Sequence, residues 1–273
     1  MLKPAIGTNE VKIAAPLDVL SVDDCYFYHV VDLPGHGVID TLSSWDLRGR
    51  FTDYLGGFDI RGKSLLDVGV ASGFISFEAE RMGAREVYGF DVDGPERFNL
   101  VPYSEIPSES PRSFYEKLLR SYWFSHNAYG SSAKMIYGDI YKMAEQVPQV
   151  DVVLLAQILV HLERPLQAIA QAALAAKETL IIVDGSFEDE RPLAVFIGGD
   201  GAYFNWYHHS VGFYRKFLPI VGFELISANK NTYRTSHPHV DSNQEVWTFI
   251  AERRATKEAA WDSQGLLQGQ STP

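Results

Sequence analysis

The acidic and glycine residues between positions 67 and 91 have the types and spacing of a ligand-binding turn. Asp67 lies two residues before Gly69, Gly73 follows, and Asp91 comes 24 residues after Asp67. Such glycines let the backbone turn sharply close to a ligand, and a helix starting there points free N–H groups at the ligand's charged end. An acid after the next strand can accept both hydroxyls of a ribose. The pattern therefore predicts a nucleoside-binding crevice.

The spacing of this motif separates two nucleoside cofactors. Dinucleotide folds use G-x-G-x-x-G, whereas this chain has D-x-G-x-x-x-G, with Ala71 in the middle of the turn. An acid two residues before the first glycine would repel a pyrophosphate but attract a sulfonium and an ammonium group. The motif therefore favours S-adenosylmethionine (SAM) as cofactor, and an NAD-dependent oxidoreductase is the alternative.

The elements that must position these residues alternate between strand and helix. Apolar runs predict seven strands, at residues 64–68, 86–90, 133–137, 151–155, 179–183, 223–228 and 246–251. Helical spacing is found at residues 74–82, 113–126, 140–146, 165–177 and 211–221. This alternation predicts a mostly parallel sheet, covered by helices on both faces and closed by an antiparallel pair.

The composition of the chain divides it into three stretches. Residues 1–60 are rich in aromatic and turn residues and are predicted to be an N-terminal extension that serves as a lid. Residues 61–254 are predicted to form the cofactor-binding domain, with an insertion at 92–132, and residues 255–273 a flexible tail. Because the extension is too short to bury a core of its own, we expect it to pack at the site.

The motifs resemble those of class I SAM-dependent methyltransferases over roughly residues 60 to 251. Tyr137-Gly138-Asp139-Ile140 resembles that family's segment after the third strand, although Ala71 stands where a middle glycine is usual. The segment Val160-His161-Leu162-Glu163-Arg164-Pro165, with Trp45-Asp46-Leu47-Arg48 upstream, is similar to the branch that contains the bacterial tRNA wobble-uridine carboxymethyltransferase and its small-molecule relatives. The resemblance implies a Rossmann-like α/β fold with a seven-stranded, mostly parallel sheet.

The resemblance also implies which residues hold SAM. Asp139 would accept a hydrogen bond from the adenine amino group, Ile140 would pack on the ring, and Gln157 belongs to the loop beside the methyl donor. Trp45 and Arg48 either pin the extension to the sheet or close the cofactor pocket. The predicted cofactor-binding set is Asp67, Gly69, Ala71, Gly73, Phe74, Asp91, Asp139, Ile140, Gln157, Trp45 and Arg48.

Three histidines are candidates for a catalytic base. An acceptor that must lose a proton needs a base, and His161, His29 and His208 are the candidates in that order. A structural role in capping the helix near Pro165 is the alternative for His161. The pairs His208-His209 and His237-x-His239 lack the spacing of metal ligands, so no metal site is predicted.

Charge and composition restrict the partners. The chain has 24 Lys and Arg against 35 Asp and Glu, a net charge of −11, and its basic residues never run beyond adjacent pairs. This disfavours nucleic acid and favours a small-molecule substrate. No apolar run is long enough to span a bilayer, no secretory signal is recognisable, and Cys25 is the single cysteine. We therefore expect a cytoplasmic protein without membrane association, and a homodimer is left open.

These observations together predict a SAM-dependent methyltransferase that modifies a small metabolite or natural product. Catalysis would consist chiefly of alignment, which can supply roughly 7 to 11 kcal/mol. Four alternatives stay open. They are a SAM-binding enzyme that performs cyclisation or elimination, a transferase that modifies the tRNA wobble uridine, an NAD-dependent oxidoreductase, and a noncatalytic SAM-binding module.

Overall fold

The computed structural model describes residues 10–40, 45–102, 109–199, 203–237 and 240–254. The predicted tail, residues 255–273, lies outside these ranges. The strands of the described residues are β1 (Val31–Leu33), β2 (Gly37–Ile39), β3 (Trp45–Asp46), β4 (Ser64–Val68), β5 (Glu86–Val92), β6 (Lys134–Gly138), β7 (Val150–Ala156), β8 (Ala176–Asp184), β9 (Ala194–Phe196), β10 (Tyr207–His209), β11 (Phe223–His237) and β12 (Val240–Arg253).

Helices connect most of these strands. The α-helices are α1 (Phe51–Tyr54), α2 (Phe74–Arg81), α3 (Pro111–Tyr129), α4 (Pro165–Ala175) and α5 (Val211–Phe217). Short 3₁₀ turns occupy Val22–Asp24, Pro95–Arg97, Ile140–Glu145, Leu159–His161 and Leu218–Val221. The helix expected at 140–146 is thus a 3₁₀ segment, which is kinked at Lys142. None of the described helices is both long and apolar enough to cross a membrane.

Eight of the strands form one sheet in the order β3-β11-β12-β8-β7-β4-β5-β6. The five strands from β8 to β6 are parallel, and β12, β11 and β3 run antiparallel to their neighbours. This confirms the mostly parallel sheet and its antiparallel closing pair. The predicted number of seven strands is wrong by one, because Trp45 and Asp46 of the extension pair with Thr235 and Arg234 of β11.

Both faces of the sheet are covered, as the prediction required. Every residue of β4 is buried, with Leu66 and Val68 in one apolar cluster and Leu65 in the other. The first cluster includes residues of α4 and α5, and the second includes residues of α2, α3 and the extension. Burial on two faces explains why the central strands are continuous apolar runs.

The β11–β12 hairpin extends past the carboxyl end of β8. β12 pairs with β8 only from Trp247 to Glu252, whereas its pairing with β11 continues as far as Val240. β3 pairs with this projecting part of β11. The hairpin therefore holds a segment of the extension at the edge of the sheet where the parallel strands end.

Candidate functional site

A cavity of about 400 Å³ lies at the carboxyl ends of β4, β5 and β7. Its wall includes Val68 and Gly69 after β4, Asp91 at the end of β5, and Ala156 and Gln157 at the end of β7. The neighbours of β4 continue the sheet in opposite directions, so the cavity is at the point where the strand order reverses. Parallel α/β sheets bind their ligands at this position.

The loop after β4 contains the predicted glycines, and each is required for a packing reason. Gly69 has φ +79°, and a Cβ there would lie 2.9 Å from the Cδ1 atom of Ile158, another residue of the cavity wall. Gly73 has φ +86° and caps the start of α2, where a Cβ would overlap the rings of Phe77 and Tyr122. Gly69 lines the cavity, whereas Gly73 does not.

Asp91 presents its carboxylate at the cavity wall. Its Oδ1 accepts a hydrogen bond from the backbone N–H of Val92 at 2.8 Å, and its Oδ2 accepts one from Ala71 at 3.2 Å. Burial raises the pKa of Asp91 to about 6. The side chain is thus held against the glycine-containing loop, and a ligand that donates hydrogen bonds would stabilise its charged form.

Asp67 is buried beneath the same loop region and does not line the cavity. Its Oδ2 accepts a hydrogen bond from the Ser76 hydroxyl at 2.7 Å, and its Oδ1 has no hydrogen-bond partner among the described residues. Burial, with a smaller contribution from the charge of Asp91, raises the pKa of Asp67 to about 7. Asp67 therefore affects the cavity through its charge rather than through a direct contact.

The extension contributes one side of the cavity. Tyr28, His29 and Trp45 line it. The N–H of Trp45 donates to the carbonyl of Tyr28 at 3.0 Å, and the N–H of Tyr28 donates to the hydroxyl of Ser72 at 3.2 Å. The extension is therefore bonded directly to the glycine-containing loop.

Arg48 and Phe74 belong to the predicted set but do not line the cavity. The guanidinium of Arg48 forms two hydrogen bonds of 2.8 and 2.9 Å with Asp46, because the turn after β3 brings Arg48 back onto that carboxylate. Phe74 is buried and stacks on the imidazole of His29, with ring centroids 5.5 Å apart. The structure thus gives both residues partners within the protein.

Asp139 and Ile140 follow β6, but only Ile140 lines the cavity. Asp139 accepts hydrogen bonds at both oxygens, from the N–H of Tyr141 at 2.9 Å and from Arg97 at 3.2 Å. Arg97 lines the cavity and also donates to Asp93 at 3.0 Å. The sequence interpretation did not include Arg97, because no spacing rule marks an arginine in an irregular loop.

His161 lines the cavity from the 3₁₀ turn after β7. Its Nδ1 lies 2.9 Å from the carbonyl oxygen of Phe204. Because a carbonyl only accepts, Nδ1 carries the proton of the neutral ring and Nε2 keeps a lone pair. Burial lowers the pKa of His161, while the Phe204 carbonyl, the charge of Asp184 and the Asn205 side chain raise it.

The other two candidate bases differ in position. His29 lines the cavity, but burial lowers its pKa to about 4, which makes it a weak base. His208 lies on β10 and does not line the cavity; its Nε2 would be 3.2 Å from a Cβ at Gly185. The geometry therefore brings His161 and His29, but not His208, to the site. The described residues contain no group of three potential metal ligands.

Aromatic residues outside the predicted set also line the cavity. Tyr203 and Phe204 come from the glycine-rich stretch 198–207, which the sequence indicates as either core or substrate wall, and Phe98 and Phe114 come from the insertion. Phe114 is in the first turn of α3, after the Ser110 cap. In the sequence, Phe114 is recognisable only as an aromatic residue within the predicted insertion. Whether its side chain faces the cavity depends on how α3 packs against the rest of the domain.

Comparisons with known proteins support the fold. No protein-family model and no curated protein matches the chain. The chain is similar in structure to a candidate methyltransferase from Bacillus halodurans C-125, with 13% identity, 76% of this chain and 100% of that chain covered, and a TM-score of 0.51.

Two further solved structures align with lower TM-scores. Magnesium protoporphyrin IX methyltransferase from Synechocystis PCC 6803 with bound SAM has 19% identity, coverage of 76% and 78%, and a TM-score of 0.46. The 1,6-didemethyltoxoflavin-N1-methyltransferase from Burkholderia thailandensis, with bound 1,6-didemethyltoxoflavin and S-adenosylhomocysteine (SAH), has 14% identity, coverage of 76% and 76%, and a TM-score of 0.48. Sheet order, cavity position and the likeness to the Bacillus protein establish that this chain has the Rossmann-like class I methyltransferase fold.

Proposed function

We propose that the protein is a SAM-dependent methyltransferase that acts on a small-molecule acceptor. The observation that carries the proposal is the Asp91 carboxylate at the cavity wall, bonded to the loop that contains Gly69. A carboxylate in this position can accept hydrogen bonds from ribose hydroxyls, next to a backbone turn that approaches the cavity closely. The two neighbours crystallised with SAM or SAH share this fold.

The residues present fit the proposed cofactor. Asp91 would hold the ribose, and Ile140 would pack against the adenine ring. When ionised, Asp67 adds negative charge near a bound sulfonium and ammonium, and these cations in turn favour its ionised form. Asp139 could accept a hydrogen bond from the adenine amino group only by giving up its bond to Arg97. Its contribution to SAM binding therefore depends on movement of that arginine.

The start of α2 argues against a dinucleotide. In dinucleotide-binding folds the pyrophosphate sits at the N-terminus of this helix. Here Gly73 and Phe74 do not line the cavity, Ser72 is fully buried, and His29 stacks on Phe74. Because the extension covers this helix end, the geometry disfavours a pyrophosphate there, and the expectation that the N–H groups of α2 face the ligand's charged end is not met.

Methyl transfer requires alignment of the acceptor with the methyl donor and removal of one proton from the acceptor. Bound SAM supplies an electrophilic methyl group, so the protein must hold the acceptor in line with it and exclude water. Tyr28, His29 and Trp45 close the cavity from the extension. Nε2 of His161 carries the lone pair that can take the acceptor's proton.

The charge at the cavity supports a small acceptor. Among the described lining residues, Arg97 is the only lysine or arginine, and two carboxylates already bind it. A nucleic-acid partner needs several cations along its backbone, and the described lining residues supply one. The relation to tRNA wobble-uridine enzymes, the cytoplasmic location and a homodimer stay predictions.

The test has two parts. Calorimetry should show binding of SAH and no binding of NADH. Incubation with methyl-deuterated SAM and a metabolite extract should yield SAH and a product that is heavier by the labelled methyl group. Release of methylthioadenosine instead would indicate attack within the aminobutyrate arm and would replace methyl transfer with cyclisation or elimination. Binding without turnover across extracts would leave a noncatalytic module.

A further inference from the structure

Five of the aromatic side chains that line the cavity contact one another through their rings. We name this group, Tyr26, Phe98, Phe114, Tyr203 and Phe204, the aromatic wall; all five line the cavity and all are half-buried. Ring centroids of its members are 5.2 Å apart for Tyr26 and Phe114, and 5.8 Å apart for Phe98 and Phe204. Its members come from four separate segments of the chain.

From this arrangement we infer that the methyl acceptor is a neutral, planar aromatic molecule with a hydroxyl group that faces His161. This inference rests on the proposed function and names the acceptor class for the same site. Aromatic rings attract other aromatic rings through stacked and edge-to-face contacts beyond simple burial of area. Half-buried rings that converge on a cavity are therefore suited to a flat apolar ligand.

Hydrogen bonds to the backbone connect His161, the proposed base, with the segment that carries Phe204 of the aromatic wall. The carbonyl of Phe204 accepts the hydrogen bond from Nδ1 of His161 at 2.9 Å, while the ring of Phe204 belongs to the wall. Two residues further, the N–H of Trp206 donates to the carbonyl of Val160 at 2.7 Å. The distance between the ring faces and the base is therefore set by the backbone, as transfer to a ring substituent requires.

The charges of the site indicate a neutral acceptor. Arg97, the one cationic lysine or arginine side chain among the described lining residues, is bonded to Asp93 at 3.0 Å and Asp139 at 3.2 Å. An acceptor with a phosphate or several carboxylates would find no lysine or arginine without a carboxylate partner among the described lining residues. A hydroxyl also gives the lone pair of His161 a proton to accept.

The transfer step balances without a further reactant. The bond between sulfur and methyl carbon breaks and its electrons stay on sulfur, while a hydroxyl oxygen lone pair forms the new bond to carbon. The hydroxyl proton passes to Nε2 of His161. The products are SAH and an aryl methyl ether.

Paired probes test the acceptor class. Isothermal calorimetry first measures SAH binding, and then 2-naphthol and its saturated counterpart decahydro-2-naphthol are titrated into the SAH-loaded protein. We expect 2-naphthol to bind about tenfold more tightly. Tetramethylammonium is titrated in the same way as a cationic probe. Equal affinities for the two alcohols, or tighter binding of decahydro-2-naphthol or of tetramethylammonium, would overturn the inference and leave the proposed function intact. Failure of SAH to bind would remove the proposed function itself.

Matched variants test whether the aromatic wall causes the preference for 2-naphthol. Phe114→Leu, with Phe98→Leu as a second test, should reduce 2-naphthol affinity about fivefold and leave SAH affinity unchanged. Phe196→Leu is the control, because Phe196 is 52% exposed and lies outside the cavity. An equal loss in the control would contradict the wall assignment. With methyl-deuterated SAM, bound 2-naphthol should become labelled 2-methoxynaphthalene; bound 2-naphthol that acquires no label would refute the hydroxyl as acceptor.

Discussion

Replacement of Asp91 by Asn is the sharpest test of the proposed cofactor site. Asn keeps the size of the side chain and one acceptor oxygen, so the bond from the N–H of Val92 can persist. The charge is lost. In the native protein the N–H of Ala71 donates to Oδ2 at 3.2 Å, and in the variant the new amide N–H₂ faces that N–H instead. A charge-assisted hydrogen bond contributes about 1.5 to 3 kcal/mol. SAM affinity should therefore fall roughly 10- to 150-fold.

The pH dependence provides a second and more specific signature. A carboxylate that accepts ribose hydroxyls must be ionised, and burial raises the pKa of free Asp91 to about 6. The affinity of the native protein should therefore fall as the pH drops from 7 to 5. The ionised fraction changes from about 0.9 to about 0.1, so the contribution of Asp91 to affinity falls about tenfold. The ratio of dissociation constants, variant over native, should shrink by the same factor.

Calorimetry with SAM at pH 5, 6 and 7 measures both effects. Asp32→Asn is the matched control, because Asp32 lies on β1, is exposed and does not line the cavity. Asp67 titrates in both proteins with a pKa raised to about 7 mainly by burial, and the smaller contribution of the Asp91 charge to that pKa is lost in the variant. A ratio that stays constant with pH, or an equal loss in Asp32→Asn, would refute the assignment of Asp91 as the ribose ligand.

Three further outcomes follow from the same geometry. His161→Gln should lower kcat by about 10²- to 10⁴-fold with little change in SAM affinity, as measured by steady-state kinetics and calorimetry; unchanged kcat would exclude it as the base. Between pH 4 and 7 the free energy of unfolding of the native protein should fall by about 1.4 kcal/mol per pH unit relative to that of Asp67→Asn. The reason is that the pKa of Asp67 is higher in the folded than in the unfolded state, so native stability falls as the pH rises. Denaturant unfolding that shows the same pH dependence for both proteins would contradict this. SAH should slow hydrogen exchange in residues 25–50, and protection confined to residues 65–140 would make the extension a structural strap.

The central strands were predictable because burial on both faces leaves a local trace. The boundaries predicted for β4, residues 64–68, are those of the structure, since an all-buried apolar run ends there at Gly69. β11 was predicted as residues 223–228 and extends to His237. Its second half pairs with β12 beyond the end of β8 and is mainly polar, with Tyr233 buried against Tyr54 of α1. A single buried ring in a polar run gives little apolar periodicity.

The side chains at the cavity were predictable from the sequence where their position depends only on the end of one strand. Asp91 lies at the carboxyl end of β5 and faces the cavity for that reason. Arg48 was expected at the pocket, but Asp46, two residues earlier, binds its guanidinium. A local ion pair of this kind depends on the turn after β3, which sequence spacing alone does not determine. The aromatic wall is harder still to foresee, because four distant segments converge to form it.

Backbone conformation marks the same site independently of side-chain chemistry. Among the described residues, the two non-glycine residues with left-handed backbone are Ala71, with φ +50°, and Gln157, with φ +52°. Each costs about 1 to 2 kcal/mol relative to a right-handed conformation, yet both line the cavity. Ala71 was the one departure from the expected glycine pattern, and the structure shows that it adopts the conformation a glycine would adopt more easily. Gln157 gave no such signal, because its strain arises where β7 ends and its N–H donates to the carbonyl of Val183 at 2.7 Å. Tertiary contacts thus hold two strained turns around one cavity, as expected when a rigid, close approach to a ligand is needed.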